Sequence, residues 1–311
     1  MSILNYKQCA TSGSNTGTGD CPFDPKSIAG GFIVPANFEL TDAQLASKDT
    51  AMAALLAAVN NDNPALRAYP LPEVVGVTDN SEDPVFETLG YGVPALVREG
   101  NYNWLFRFQR GAFCALKALM KFNGTGRKVI LFDVEGSLIA TKSGTSAKGI
   151  PLYYFHAYKF KLNDGSANTV YSYGMAFNPV HINQNIAFIQ LDYAQLLEIT
   201  GIQNVVLSLV APRAAGVFKV KTTTGCAGLD LYDLYATELG VAANFRVTEA
   251  GKVITITSVV KDDNAKAFTV TMDTADPDYN AAGPFVVNLA PISVLSAAGV
   301  VGFEGIPLTV V

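Results

Sequence analysis

The sharpest signal along the chain is the alternation of apolar and polar positions over short runs. In NYNWLFRFQ, Tyr102, Trp104, Phe106 and Phe108 fall on one side of a strand, and Asn103, Leu105, Arg107 and Gln109 on the other. PLYYFHAYKFKL repeats the device, placing Leu152, Tyr154, His156, Tyr158, Phe160 and Leu162 on one face while Lys159 and Lys161 point away. Asn163-Asp164-Gly165 supplies hairpin turn chemistry before the β-rich run NTVYSYGMAF. NIAFIQLDY, NVVLSLV and GVFKVKTTTG add further strands, so period two dominates residues 85 to 221.

Helical spacing is rarer. In LTDAQLASKDTAMAALLAAVNN, Thr41 and Gln44 stand at capping-box spacing and Leu45, Met52, Leu55, Leu56 and Val59 recur at helical intervals, which predicts a helix over 41–60. Pro64, Pro70 and Pro72 end it, because proline removes a backbone donor and clashes with the preceding turn. GAFCALKALMKF reads as a second, shorter helix, with DYAQLLEI as a further short one.

At the two ends the pattern changes. Residues 1–38 are rich in Gly, Ser, Thr, Asn and Pro with no period, and read as an extended arm. After TTTGCAG and a helical turn in DLYDLYATELG, the run ANFRVTEAGKVITITSVVKDDNAKAFTVTMD predicts three strands. In it Ile254 and Ile256 alternate with Thr255 and Thr257, and Phe268, Val270 and Met272 with Thr269 and Thr271. PFVVNLAPISVL and GIPLTVV complete a unit of immunoglobulin-like size that lacks the Cys…Trp…Cys core. The expected fold is mainly β (α+β) in three parts. These are an arm at 1–38, a sandwich- or barrel-like main domain at 39–227 with one or two helices, and an immunoglobulin-like β-sandwich at 228–311.

Composition sharpens this picture. The 311 residues suffice for a sizeable core. Charged residues make up 16% against roughly 25% in an average globular protein, and a surface so poor in ions suits burial against copies of itself. Net charge is −5 and Lys and Arg form no basic run, so sequence-specific nucleic-acid binding is not expected. No charged lead-in precedes an apolar stretch near the N-terminus, and no run approaches 18 apolar residues. The expectation is a soluble chain made in the cytoplasm, without a membrane span. Cys9 and Cys21 bracket a loop that can close as a disulfide in an oxidising setting; two reduced thiols in a flexible arm is the reading adopted, and no CxxC pair suggests zinc.

Candidate chemistry starts at VILFDVEGSL, residues 129–138, which resembles the nucleophile motif of haloacid-dehalogenase phosphatases. Asp133 would be the nucleophile and Glu135 the acid two residues on, with Ser208 and Asp262-Asp263 as formal partners for the family's other motifs. Three departures weigh against it. The second acid is one methylene longer than the usual Asp, Asp262-Asp263 sits in a turn between alternating strands, and no amphipathic helix of crossover length separates the strands. The alternative puts Asp133 and Glu135 on the polar face of a strand ending at Gly136. His156, amid aromatic residues, reads as a core histidine. GTGRK at 124–128 precedes a strand and reads as a turn, and the sequon Asn123-Gly124-Thr125 carries no weight without an export signal. No catalytic, cofactor or metal residue is assigned, and the chain is read as a non-enzyme.

What remains is an arm, the β-rich stretch around GYGVPALVREGNYNWLFRF, the helix GAFCALKALMKF and an appended 240–311 unit. In architecture this resembles bacteriophage virion proteins, above all tail-tube proteins. The resemblance implies hexameric rings stacked into a DNA conduit, with other virion proteins as partners, in a virion assembled from chains made in the host cytoplasm. Capsid or head-decoration proteins share the composition but usually carry a long spine helix. A surface-binding module would use Tyr153, Tyr154, Tyr171 and Tyr173 as exposed aromatics.

Overall fold

The computed structural model describes residues 3, 26–109, 111–124, 126–157, 160, 169–183, 185–226 and 228–311. Strands take up 44% of it and helical residues 20%, which makes it β-rich. The chain forms two compact units. One runs to Val59 and resumes over Asn63–Thr200; the other comprises Asn60–Asp62 and Gly201–Val311.

The first unit is built on an 11-stranded sheet in which each pairing is antiparallel. Its middle strand, Lys128–Asp133, pairs with Ile28–Val34, Ser137–Ser143 and Ile150–Ala157. The run Val129-Ile130-Leu131-Phe132 is buried on both faces, as its unbroken apolar character requires. Ile130 and Phe132 face a core shared with Leu55 and Val59 of the helix Lys48–Val59. Val129 and Leu131 face a second core holding Phe106, Phe108, Phe155 and Tyr173, together with Leu116 and Leu119 of the helix Ala112–Leu119.

Period-two alternation thus assigns the two sides of one strand to two cores. In the aromatic core Tyr173 stacks on Phe106 at 5.2 Å and on Phe155 at 5.7 Å. Burial pushes its hydroxyl far above the ordinary tyrosine range.

The expected arm at 1–38 ends too late. Ile28–Val34 is an interior strand, paired with Lys128–Asp133 on one side and Tyr69–Pro70 on the other. Its Gly30 and Gly31, which give the segment a loop-like composition, are close-approach residues. A Cβ at Gly30 would lie 2.5 Å from Phe132 Cζ, and one at Gly31 2.6 Å from the Ile130 carbonyl. Residues 4–25, including Cys9 and Cys21, lie outside the described residues.

The predicted helix over 41–60 divides into two elements with separate caps. Thr41 and Gln44 cap each other as the spacing required, Thr41 N donating to Gln44 Oε1 at 2.8 Å, but they open a single 3-10 turn, Gln44–Ala46. Ser47 then turns extended and starts a second reciprocal cap with Thr50 that opens the helix Lys48–Val59.

The second unit begins earlier than residue 228. Gln203–Leu209 and Val217–Thr224 are interior strands of a five-stranded sheet, with Ile256–Asp262, Ala267–Met272 and Phe303–Ile306. The pairing of Gln203–Leu209 with Phe303–Ile306 is parallel. A cut at 228 would strip Val217–Thr224 of its partner Ala267–Met272. A four-stranded sheet, Lys252–Ile254, Phe245–Glu249, Phe285–Leu289 and Leu308–Val310, shares the same core.

One alternating run, VITITSVV, serves both sheets. Ile254 ends a strand of the four-stranded sheet and Ile256 starts one of the five-stranded sheet. Between them Thr255 N donates to Asp276 Oδ2 at 2.9 Å, and the Thr255 carbonyl accepts from Asp273 N at 2.8 Å.

At the rim of this unit Lys219 Nζ meets Asp262 Oδ2 at 2.6 Å, and the ammonium, followed by the Ala265 and Asn264 N–H groups, holds the Asp262 carboxyl below its ordinary value of 3.8. The carboxyl is depressed in the folded state, so its stabilising effect is complete above 3.8 and disappears as pH falls through the lower folded value. Asp262→Asn should therefore lower the neutral plateau of a thermal-unfolding profile and flatten its fall from pH 5 to pH 2, so that variant and wild type converge in acid. An unchanged acid limb would show that the pair is solvated away.

Candidate functional site

The phosphatase-like stretch folds as a hairpin, and Asp133 is its organiser. The strand Lys128–Asp133 turns through Val134–Gly136 into Ser137–Ser143. The Asp133 side chain is 1% exposed. Its Oδ1 accepts from the backbone N–H of Ser137 at 2.8 Å and of Glu135 at 3.0 Å, and its Oδ2 from Lys26 N at 3.2 Å. Gly136 takes φ +84°, and a Cβ there would press within 2.7 Å of the Leu191 carbonyl. The turn thus needs both the carboxylate and the glycine.

Phosphoryl transfer from a dehalogenase-type aspartate needs a free oxygen at the end of a parallel strand. Here both oxygens are engaged by main-chain donors, and the three neighbouring strands run antiparallel. Ser208 and Asp262-Asp263 belong to the second unit, where Ser208 stands opposite Lys221 and Asp263 accepts from the Tyr232 hydroxyl at 2.5 Å. Asp133 is also not on an outward polar face, since it is Val134 beside it that is exposed.

A β-bulge between Leu152 and Tyr154 reverses the expected faces of Ile150–Ala157. Phe155 and Ala157 point into the core, while His156 and Tyr154 lie on the exposed side. His156 is therefore not a core histidine. The four tyrosines offered as a binding platform divide accordingly. Tyr173 is interior, Tyr171 half-buried, and Tyr153 and Tyr154 exposed, their hydroxyls bonded to Asn178 and Asn103. Asn123 of the sequon uses its Oδ1 to accept from Ala157 N at 2.7 Å.

Among the described residues no group of three His, Cys, Asp or Glu side chains is placed to hold a metal ion, and no helix is long and apolar enough to cross a membrane. No described cysteine is free: Cys114 and Cys226 are both disulfide-bonded, while the reading of reduced thiols concerned Cys9 and Cys21, outside the described residues. In the first unit a groove of about 390 Å³ lies between the Lys48–Val59 helix and the helix Tyr193–Glu198, lined by Met52, Leu56 and Ile199 with Asp49 and Glu198 at its margin. In the second, a groove of about 270 Å³ gathers Asp62, Arg246, Asn288 and Glu304.

The most exposed apolar surface lies elsewhere, in residues 74–98. Val74–Asp79 ends the large sheet. It pairs with Tyr102–Phe108 and with no other strand among the described residues, so its outer row of N–H and C=O groups is unpaired with sheet. Val75 and Val77 are exposed along it. The chain then leaves the sheet as a separate two-stranded hairpin, Val85–Thr88 with Pro94–Arg98, which we call the blade.

Phe86, Leu89, Val93, Leu96 and Val97 are all exposed on the blade, Phe86 at 60%, and Tyr91 at its tip is 99% exposed. Its turn closes through Leu89 N to Val93 O at 3.0 Å and Gly92 N to Leu89 O at 2.8 Å. At the base, Asn80 N and Glu82 N donate to the carbonyls of Asn103 and Asn101, and Arg98 pairs with Glu82 at 3.4 Å. Gly100 lies so close that any Cβ would overlap the Glu82 carbonyl. The sequence reading placed GYGVPALVREG among central strands. Pro84 and Pro94, at the starts of both blade strands, were the signal against it, since proline is confined to edges and strand starts.

No protein-family model and no curated protein matches the sequence. Geometry and chemistry carry the functional reading by themselves.

Proposed function

We propose that this chain is a non-enzymatic structural protein of a bacteriophage virion, of the tail-tube type, whose copies join sheet to sheet into rings that stack as a conduit for DNA. The observation that carries the reading is the continuous segment 74–98, an open sheet edge followed by a bare apolar blade. Proteins that remain alone blunt such edges with lysine, proline or a covering helix. Here the edge strand reads VVGVTD, with neither lysine nor proline. A low charge fraction of 16% fits a surface largely covered by neighbours.

In this reading the second unit is a β-sandwich of immunoglobulin-like size carried as exterior decoration. Virion particles provide the setting, and oxidation of Cys114 and Cys226 follows release from the reducing cytoplasm. Negative-stain microscopy and sedimentation of the purified chain test the proposal. Tubes or six-fold rings are the expected result. Closed shells would move the protein to the head, and a strict monomer at high concentration would overturn the assembly reading altogether.

A further inference from the structure

The exposed apolar surface of the first unit carries a charge asymmetry that identifies its occupant. Around the blade, Asp79, Glu82, Asp83, Glu87 and Glu99 are offset by Arg98 alone. The following stretch, from Arg107 to Lys161, has ten basic side chains against two acidic ones. Within that stretch the helix Ala112–Leu119 buries Leu116 and Leu119 and turns its other side outward. Phe113, Lys117, Met120 and Lys121 follow at the i, i+4, i+7 and i+8 positions of this outward stripe, continuing into the 3-10 turn Met120–Phe122. Phe113 is 57% exposed and Met120 is also bare, and Phe160 meets Phe113 edge-on at 6.0 Å, widening the apolar patch. Cys114, on the same helix, is disulfide-bonded.

Blade and helix are therefore matched in kind: apolar centre with acidic margin on one, apolar centre with basic margin on the other. Within one copy both stay uncovered, so they do not satisfy each other there. We propose that the blade Val85–Arg98 of one copy docks on the Phe113–Lys121 helix face of a second copy. Phe86 and Leu96, which stand opposite each other in the blade, lie against Phe113 and Met120, and Glu82 and Glu99, which line the same groove as that pair, face Lys117 and Lys121. Two different patches make this contact, so it is head-to-tail and propagates into a ring or a stack instead of stopping at a dimer. The inference rests on the assembly reading above and assigns its contact surfaces.

Charge reversal with rescue tests it. Glu82→Lys with Glu99→Lys should raise the concentration needed for assembly by about tenfold or more, because like charges then meet across the contact. Lys117→Glu with Lys121→Glu should do the same, and all four changes in one chain should restore assembly. All four altered side chains are solvent-exposed, so each variant's monomer should unfold at the wild-type temperature. If the wild type assembles and either double variant assembles equally well, or the fourfold variant fails to recover, the docking is wrong and self-assembly stands. If the wild type itself stays monomeric, both readings fall.

Discussion

Tyr173→Ala is expected to lower the thermal-unfolding midpoint of the first unit by roughly 6–20 °C, the equivalent of about 3–5 kcal/mol for emptying an aromatic site in a packed core. Its ring is the hub of the aromatic core, with Phe106 at 5.2 Å, Phe155 at 5.7 Å and Phe108 at 5.8 Å. These neighbours are themselves held by the sheet, so they cannot collapse into the gap. Tyr173→Phe keeps the ring and should cost less than about a third of that, since only the hydroxyl is lost. Differential scanning calorimetry of the two variants decides the matter. Equal and small losses would mean that the ring is not the keystone its packing suggests.

Asp133→Ala should come next in severity, at about 1–3 kcal/mol. The buried Ser137 N–H would be left without an acceptor, at about 1–3 kcal/mol for an unsatisfied buried donor, while the part-buried N–H groups of Lys26 and Glu135 can turn to water. Asp133→Asn preserves one carbonyl oxygen and should lose less, because the Ser137 and Glu135 donors can still share it. Circular dichroism melts of both variants give the comparison. Hydrolysis of a generic phosphate ester with magnesium, abolished by Asp133→Asn at unchanged stability, would instead restore the nucleophile reading.

Much of the β architecture was legible because burial imposes period two wherever one strand face is interior. Tyr102–Phe108 keeps its expected faces, and Phe268, Val270 and Met272 turn inward as their spacing requires. The failures occur where tertiary geometry overrides the local pattern. Ile28–Val34 was lost to its glycines, which mark close backbone approach instead of looseness. The faces of Ile150–Ala157 were inverted by one bulged residue, a shift that moves every later side chain to the other side. VITITSVV carries its Ile-Thr alternation straight through Thr255 yet belongs to two sheets, because the turn at Thr255 is made by Asp273 and Asp276 some twenty residues away, beyond any local window.

The candidate surface was hidden for a related reason. Alternation marks a strand but does not distinguish an interior strand from one standing in solvent. Phe86 and Phe106 occur in similar runs, and only the fold separates an exposed ring from a buried one. The division of charge between the blade and the helix after it was readable in the sequence, but only when counted by segment; summed over the chain it disappears into a modest −5.

The pinched root at Gly100, lying against the Glu82 carbonyl, bears on how readily such a protein would polymerise. A projection aimed during folding has already surrendered most of its orientational freedom, so little entropy remains to be lost when it meets a neighbour. Growth would then be limited by encounter more than by rearrangement, and a bulkier residue at position 100 would slow elongation even where every contacting side chain is intact.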